Sequence, residues 1–145
     1  MGWADYYRRR DALNSVIERG ELAVTDEFTS TGELLQALHH RWALRLAGRV
    51  ELASLAENQL AAVGAAWREA VAENVDLRRL LDEHADHPAL REVTPAEQRM
   101  IATAAGLADP QDGADEQAAA GAAFVAMLRS GPRRRRFPRR LVPSG

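Results

Sequence analysis

Residues 31–83 decide the fold class, and they read TGELLQALHHRWALRLAGRVELASLAENQLAAVGAAWREAVAENVDLRRLLDE. The stretch contains no proline and is dominated by strong helix formers. An apolar stripe runs from residue 35 to residue 81, which is 46 residues in 13 steps, or about 3.5 residues per step. This period predicts α-helix, with a seam close to that of a left-handed coiled coil.

The tract can form either one long helix or two helices packed as a hairpin. A single helix of this length would measure about 80 Å. Gly48 is a possible C-terminal cap, and Ser54 with Glu57 has the spacing of a capping box. Residues 49–53 contain no turn cluster, and a helix tolerates an isolated glycine at a cost of about 1 kcal/mol. We therefore expect one long helix or a bend near residues 48–54.

Asn74 is the polar position of the stripe. It could set the register or the oligomeric state of a coiled coil, or it could face water where the stripe drifts. The large apolar residues are few for a long helix that must bury its whole stripe within one chain. We therefore expect a homodimer, or a partner protein, to cover the long helix.

On the N-terminal side, a first helix is predicted over Trp3–Arg19, with Gly20 as its left-handed cap. Residues 21–30 form a connector, and Ser30 with Glu33 makes a capping box at the start of the long tract. The residues expected to form the apolar stripe of the first helix are Trp3, Tyr6, Tyr7, Leu13, Val16 and Ile17. Those expected to attach the connector to the core are Leu22, Val24 and Phe28.

On the C-terminal side, residues 84–93 are predicted to form a turn in which Pro88 stops the long helix. The sequence Thr94-Pro95-Ala96-Glu97 predicts the start of another helix, which runs to about Leu107. Residues 108–113 form a loop. A last helix is predicted over 114–129, ending at Gly131-Pro132.

Together these elements predict an all-α fold. It is a small helical bundle of four to five helices with one long central helix, straight or bent, and a flexible basic C-terminal tail. Residues 1–130 form the helical bundle domain, and residues 131–145 form a disordered Arg-rich tail.

Composition excludes several kinds of site. All 19 basic residues are arginine, and there is no cysteine, which excludes disulfides, thiolate zinc sites, iron–sulfur clusters and a cysteine nucleophile. The N-terminus does not resemble a secretory signal, and the longest uncharged run (117–128) is shorter than the ~18 residues of a membrane span. We therefore expect a cytoplasmic protein.

The charges are distributed unevenly along the chain. Residues 1–128 contain 12 arginines and 21 acidic residues (net −9), whereas residues 129–145 contain 7 arginines and no acidic residue (net +7). Arginine pairs bidentately with phosphate, and an aromatic ring among arginines can stack on an exposed base. The candidate nucleic-acid-binding residues are therefore Arg133, Arg134, Arg135, Arg136, Phe137, Arg139 and Arg140. The alternatives are contact of the tail with its own acidic body or with a protein, and a solubilising terminus without a specific partner.

Other candidate sites are weaker. Residues 8–10 (Arg-Arg-Arg) could extend a phosphate-binding surface or form a solvated helix face. The histidines form two pairs, His39-His40 and His84/His87, which would lie about 65 Å apart along one straight helix. There is no Glu-x-x-His motif, so we predict no metal and no cofactor.

No nucleophile elbow, P-loop, dinucleotide fingerprint or His-Glu-x-x-His motif is present, and no catalytic residue is assigned. A helix-turn-helix over 95–128 would need a shorter connector than residues 108–113. The sequence therefore predicts a non-enzymatic binding or assembly protein whose tail engages a polyanion, preferentially nucleic acid. The alternative is a protein–protein adaptor or regulator with an incidental tail. A third hypothesis is a metal-dependent helical-bundle enzyme.

Overall fold

The computed structural model describes the backbone of residues 2–141 and the side chains of residues 2–131. Within that part of the chain there are six helices and no strand, so the all-α prediction is confirmed. The helices are α1 (Trp3–Arg19), α2 (Thr31–Ala53), α3 (Gln59–Glu73), α4 (Val75–Glu83), α5 (Pro88–Ala104) and α6 (Ala114–Leu141). The helix count exceeds the predicted four to five because the tract 31–83 forms three helices.

The prediction of one long or bent central helix is wrong. The tract breaks first at residues 54–58, and α2 and α3 pack against each other as the hairpin that was the alternative interpretation. Asn58, and not Ser54, is the N-cap of α3: its side chain accepts a hydrogen bond from the N–H of Ala61 at 3.1 Å. Gly48 lies exposed within α2 and caps nothing. Folding the tract back on itself removes most of its apolar stripe from water. The free energy gained by this burial outweighs the loss of a few backbone hydrogen bonds at the turn.

The second break in the tract lies at Asn74, between α3 and α4. Asn74 is only 9% exposed, so the interpretation that it faces water is wrong. Its Oδ1 accepts a hydrogen bond from Nη1 of Arg45 at 2.5 Å, and its Nδ2 donates to the carbonyl of Ala70 at 2.8 Å. These contacts satisfy the hydrogen-bonding groups of the buried amide within the chain. The contact with Arg45 also links the break between α3 and α4 to α2.

The core lies along α2, which packs against α3, α4 and α5. Trp42 is fully buried near the middle of α2, and side chains from every helix and from the connector pack around the same cluster. The largest fully buried side chains besides Trp42 are Phe28, Leu34, Leu35, Leu38, Leu46, Leu77, Leu80, Leu81, Ile101, Val50 and Val63. Most of the apolar stripe of 31–83 is thus covered within one chain, although Ala56 and Leu60 are exposed. The homodimer stays a prediction.

Helix α1 has the predicted bounds, and Gly20 caps it with φ of 74°. Its predicted apolar stripe is only half right. Leu13 and Val16 are buried, but three rings at the N-terminal end stay in water and pack on one another. We call them the α1 aromatic cluster: Trp3, Tyr6 and Tyr7, which are 76%, 55% and 44% exposed.

Helix α5 begins at Pro88, six residues before the predicted start at Thr94. Nδ1 of His87 accepts a hydrogen bond from the N–H of Ala89 at 3.0 Å, so His87 is the N-cap and Pro88 is the first helical residue. Pro95 lies inside the helix, and the hydroxyl of Thr94 donates to the carbonyl of Leu90 at 2.7 Å. Leu90 is buried in the core, and burying it favours the earlier start.

Helix α6 packs on α5 and continues to Leu141, past the end predicted at Gly131-Pro132. Arginine is a strong helix former, which favours continuation through residues 133–136. The division of the chain into a bundle and a tail near residue 130 stays a prediction. No helix within the described residues combines the length and the apolar character needed to cross a membrane.

Candidate functional site

A cleft of about 470 Å³ with charged walls lies between α4, α5 and α6, and residues of α2 and α3 also line it. Trp67, Leu81, Leu90 and Val125 contribute apolar surface to its walls. Its charged lining consists of Arg78, Arg91, Arg129, Asp82, Glu97 and His39. The volume is in the range of small-molecule sites, which are typically mostly apolar with a few converging polar groups.

Two arginines of the cleft share the carboxylate of Asp82. Arg78, one turn earlier on α4, contacts Oδ1 of Asp82 through Nη2 at 3.0 Å and through Nε at 3.1 Å. Arg129 of α6 makes a bidentate pair with the same carboxylate, at 3.1 and 3.0 Å. The guanidinium of Arg78 lies 4.8 Å from the ring centre of Trp42, and that of Arg129 lies 5.2 Å from that of Trp67. Both groups are therefore held in place by a carboxylate and an indole.

Glu97 and His39 form a second polar group in the lining of the cleft. Oε1 of Glu97 lies 3.0 Å from Nε2 of His39 and accepts a hydrogen bond from Nε1 of Trp42 at 3.1 Å. The side chains of His39 and Glu97 are each 11% exposed. This carboxylate therefore satisfies the indole N–H of the central core residue while facing the cleft.

The histidines do not assemble into a metal site. His39 pairs with Glu97, His84 lies 2.9 Å from the carbonyl of Leu80 through Nδ1, and His87 caps α5. His40 is exposed on α2. Within the part of the chain that the structure describes, no three His, Asp or Glu side chains are placed to hold a metal ion.

The basic patch on α1 is engaged within the fold. Arg8 pairs with Asp5 and Glu27, and Arg10 with Asp11. Arg9 donates to the carbonyl of Glu27 at 3.0 Å and lies over the ring of Phe28 at 4.5 Å. These contacts support the interpretation of the patch as a structural, solvated helix face.

The seven candidate residues of the tail are not placed by the structure. The backbone of residues 133–140 belongs to α6, but their side chains lie outside the described residues. Arg129, which precedes the predicted tail, has a described side chain and lines the cleft. The cleft itself was missed from the sequence. Only the spacing of Arg78 and Asp82 signals an ion pair, since four residues separate neighbours on one helix face.

Comparison of the chain with protein-family models, with curated proteins and with solved structures finds no significant match.

Proposed function

We propose that this protein is a non-enzymatic helical binding or assembly protein whose Arg-rich C-terminal tail binds a polyanion, preferentially nucleic acid. The helical body presents the tail, and the binding residues are Arg133, Arg134, Arg135, Arg136, Phe137, Arg139 and Arg140. Recognition depends on phosphate charge rather than on base sequence, because the tail offers guanidinium groups and a single aromatic ring.

The observation that carries the proposal is the separation of charge along the chain. Residues 1–128 have a net charge of −9 and residues 129–145 a net charge of +7. Eight of the twelve arginines in the body make ion pairs or hydrogen bonds within the body, namely Arg8, Arg9, Arg10, Arg41, Arg45, Arg49, Arg78 and Arg79. An acidic body with engaged arginines repels a polyanion, so the tail is the part of the chain suited to bind one.

The test is binding of short mixed-sequence RNA and DNA by fluorescence anisotropy, with the full chain and with a version ending at Ser130. We expect binding that requires the tail and weakens steeply with salt. Six phosphate contacts on a single strand predict a slope of log K against log salt of about −4. Charge reversal at residues 133–136 should abolish binding.

A control removes the same kind of charge from the body. Arg19 and Arg68 are exposed on α1 and α3, and their joint replacement by glutamine should leave nucleic-acid affinity unchanged. Absence of binding by the full chain at low salt, or equal binding by the version ending at Ser130, would refute the proposal.

The α1 aromatic cluster favours a second candidate function, that of a protein–protein adaptor or regulator acting through the helical surface. Exposed tryptophan and tyrosine beside arginine are the residue types enriched where proteins bind one another. Here the ring centres lie 5.3–6.2 Å apart, with Trp3 and Tyr7 stacked and Tyr6 edge-to-face with both. The guanidinium of Arg10 lies 4.7 Å from the ring centre of Tyr7. The sequence predicts the homodimer through the long helix. Because most of the apolar stripe of 31–83 is covered, the α1 aromatic cluster is a second surface for such a contact.

Sedimentation velocity over a range of concentrations tests this second candidate. A dimer that dissociates on joint substitution Trp3→Ser and Tyr7→Ser, and that persists when the tail charges are reversed, would support it. A monomer at all concentrations would remove the homodimer.

A further inference from the structure

The cleft between α4, α5 and α6 differs in charge from the body around it. Its lining contains three arginines (Arg78, Arg91 and Arg129) and two carboxylates (Asp82 and Glu97), which gives a net charge of +1 with His39 neutral. The body of residues 1–128 has a net charge of −9. A locally positive cleft in an acidic protein attracts an anion to that place and repels it elsewhere.

Guanidinium donors in the cleft remain available to a ligand. Arg91 makes no ion pair or hydrogen bond with any residue between 2 and 131, although it lines the cleft. Nη1 of Arg78 and Nε of Arg129 also have no partner within those residues, because Asp82 engages only the other nitrogens of these groups. The two paired arginines are held rigidly, so a ligand does not have to order them on binding.

Apolar side chains also line the cleft. Trp67, Leu81 and Leu90, which are almost completely buried, form an apolar wall. Val125 of α6 completes this wall. A ligand that fits has an anionic end for the arginines and an apolar body for the wall, and an inorganic anion alone would leave the wall unused.

We propose that the cleft binds a small organic carboxylate with an aromatic or aliphatic body. Its carboxylate pairs with Arg91 and with the free donors of Arg78 and Arg129, and its apolar body lies against Trp67 and Leu90. Arg91 has its whole guanidinium available for planar bidentate pairing, the geometry in which guanidinium and carboxylate match best, and Arg78 and Arg129 each add one donor. This site is separate from the proposed nucleic-acid-binding residues, so either can fail without the other.

The three indole N–H groups of the protein make the test specific. Trp67 lines the cleft, Trp42 lies behind Arg78, and Trp3 is remote on α1. The ¹H–¹⁵N spectrum of the full chain is titrated with 2-naphthoate and, separately, with the neutral 2-naphthamide. We expect a saturable shift of the Trp67 signal with 2-naphthoate, no shift of the Trp3 signal, and at least tenfold weaker binding of the amide.

Two matched variants test whether the carboxylate of the ligand pairs with Arg91. Arg91→Gln should weaken 2-naphthoate binding by about tenfold or more, the order of one charge-assisted hydrogen bond. Arg19→Gln removes the same charge from an exposed site on α1 and should leave the affinity unchanged. Both side chains are exposed, and an otherwise unchanged spectrum verifies that each variant is folded.

Comparing the full chain with the version ending at Ser130 tests whether the C-terminal tail, rather than a free ligand, occupies the cleft. Equal affinities in the two versions support the proposal. Binding only in the shorter version would overturn it, because the tail would then be the natural occupant. A Trp67 signal that does not move at millimolar 2-naphthoate, equal binding of acid and amide, or an Arg91→Gln variant of unchanged affinity would also overturn it.

Discussion

The carboxylate of Glu97 joins α5 to α2 through hydrogen-bonding contacts with His39 and Trp42. Removing it leaves a buried indole N–H and a nearly buried imidazole without their acceptor. We predict that Glu97→Ala lowers the free energy of unfolding by about 2–3 kcal/mol. Glu97→Gln keeps an acceptor oxygen and should cost less, and urea denaturation of both variants checks the order. Equal losses would show that the polar contact contributes little.

Glu33 provides a pH-dependent contact at the start of α2. The hydroxyl of Thr29 donates to its carboxylate at 2.6 Å, with the Thr29 N–H and Arg9 adding further stabilisation, and these contacts lower the pKa of Glu33 below its usual value of 4.5. A folded-state pKa below the unfolded one stabilises the protein above about pH 4.5, and this contribution is lost as the pH falls through the folded value.

We therefore predict that Thr29→Val lowers the urea midpoint at pH 6 and has a smaller effect at pH 3. Glu33→Gln does not titrate, so in that background the effect of Thr29→Val should not depend on this ionisation. An effect of Thr29→Val that is the same at both pH values in the natural sequence would contradict this prediction.

At the scale of elements, the crossing of α5 and α6 depends on Gly121. A Cβ added there would lie 1.9 Å from the carbonyl oxygen of Gln98, which is backbone and cannot turn aside. We predict that Gly121→Ala lowers the free energy of unfolding by about 1–3 kcal/mol, because the two helices must separate.

Gly48 is the matched control. It is an exposed position inside α2 with nothing within 4 Å of an added Cβ. Gly48→Ala should stabilise the protein by about 0.5–1 kcal/mol through helix propensity alone. Thermal unfolding of the two variants in parallel measures both effects, and a neutral Gly121→Ala would show that the helices do not cross so closely.

At the scale of the whole molecule, the buried core extends from Leu13 to Leu128 within the residues whose side chains the structure describes. We predict that a version ending at Ser130 unfolds with the same urea midpoint as the full chain, within about 0.5 kcal/mol. A loss of more than about 1 kcal/mol would place the C-terminal segment among the elements that stabilise the body, and the division near residue 130 would be wrong.

The cleft shows the limit of sequence reasoning about the site. His39, Trp67, Asp82, Glu97 and Arg129 come from five different helices. Only the pairing of Asp82 with Arg78 lies within one helical turn and is readable from spacing. The pairing of His39 with Glu97 spans 58 positions, so no local pattern in the chain indicates it.

The sequence by itself determined the helical class, the bounds of α1 with its Gly20 cap, and the start of α2 at Ser30. These features depend on hydrogen bonds and side-chain contacts within about four residues. Only the tertiary structure decided that the tract 31–83 breaks at 54–58 and at Asn74, and that α5 begins at Pro88. Ser54 and Asn58 satisfy the same local capping rule, and Pro88 and Pro95 are equally suited to the first helical position. The break at 54–58 is favoured because it lets the apolar stripe of α2 pack in the shared core, and the start at Pro88 is favoured because it buries Leu90 there. The free energy of this burial comes from contacts between segments that are distant in the sequence.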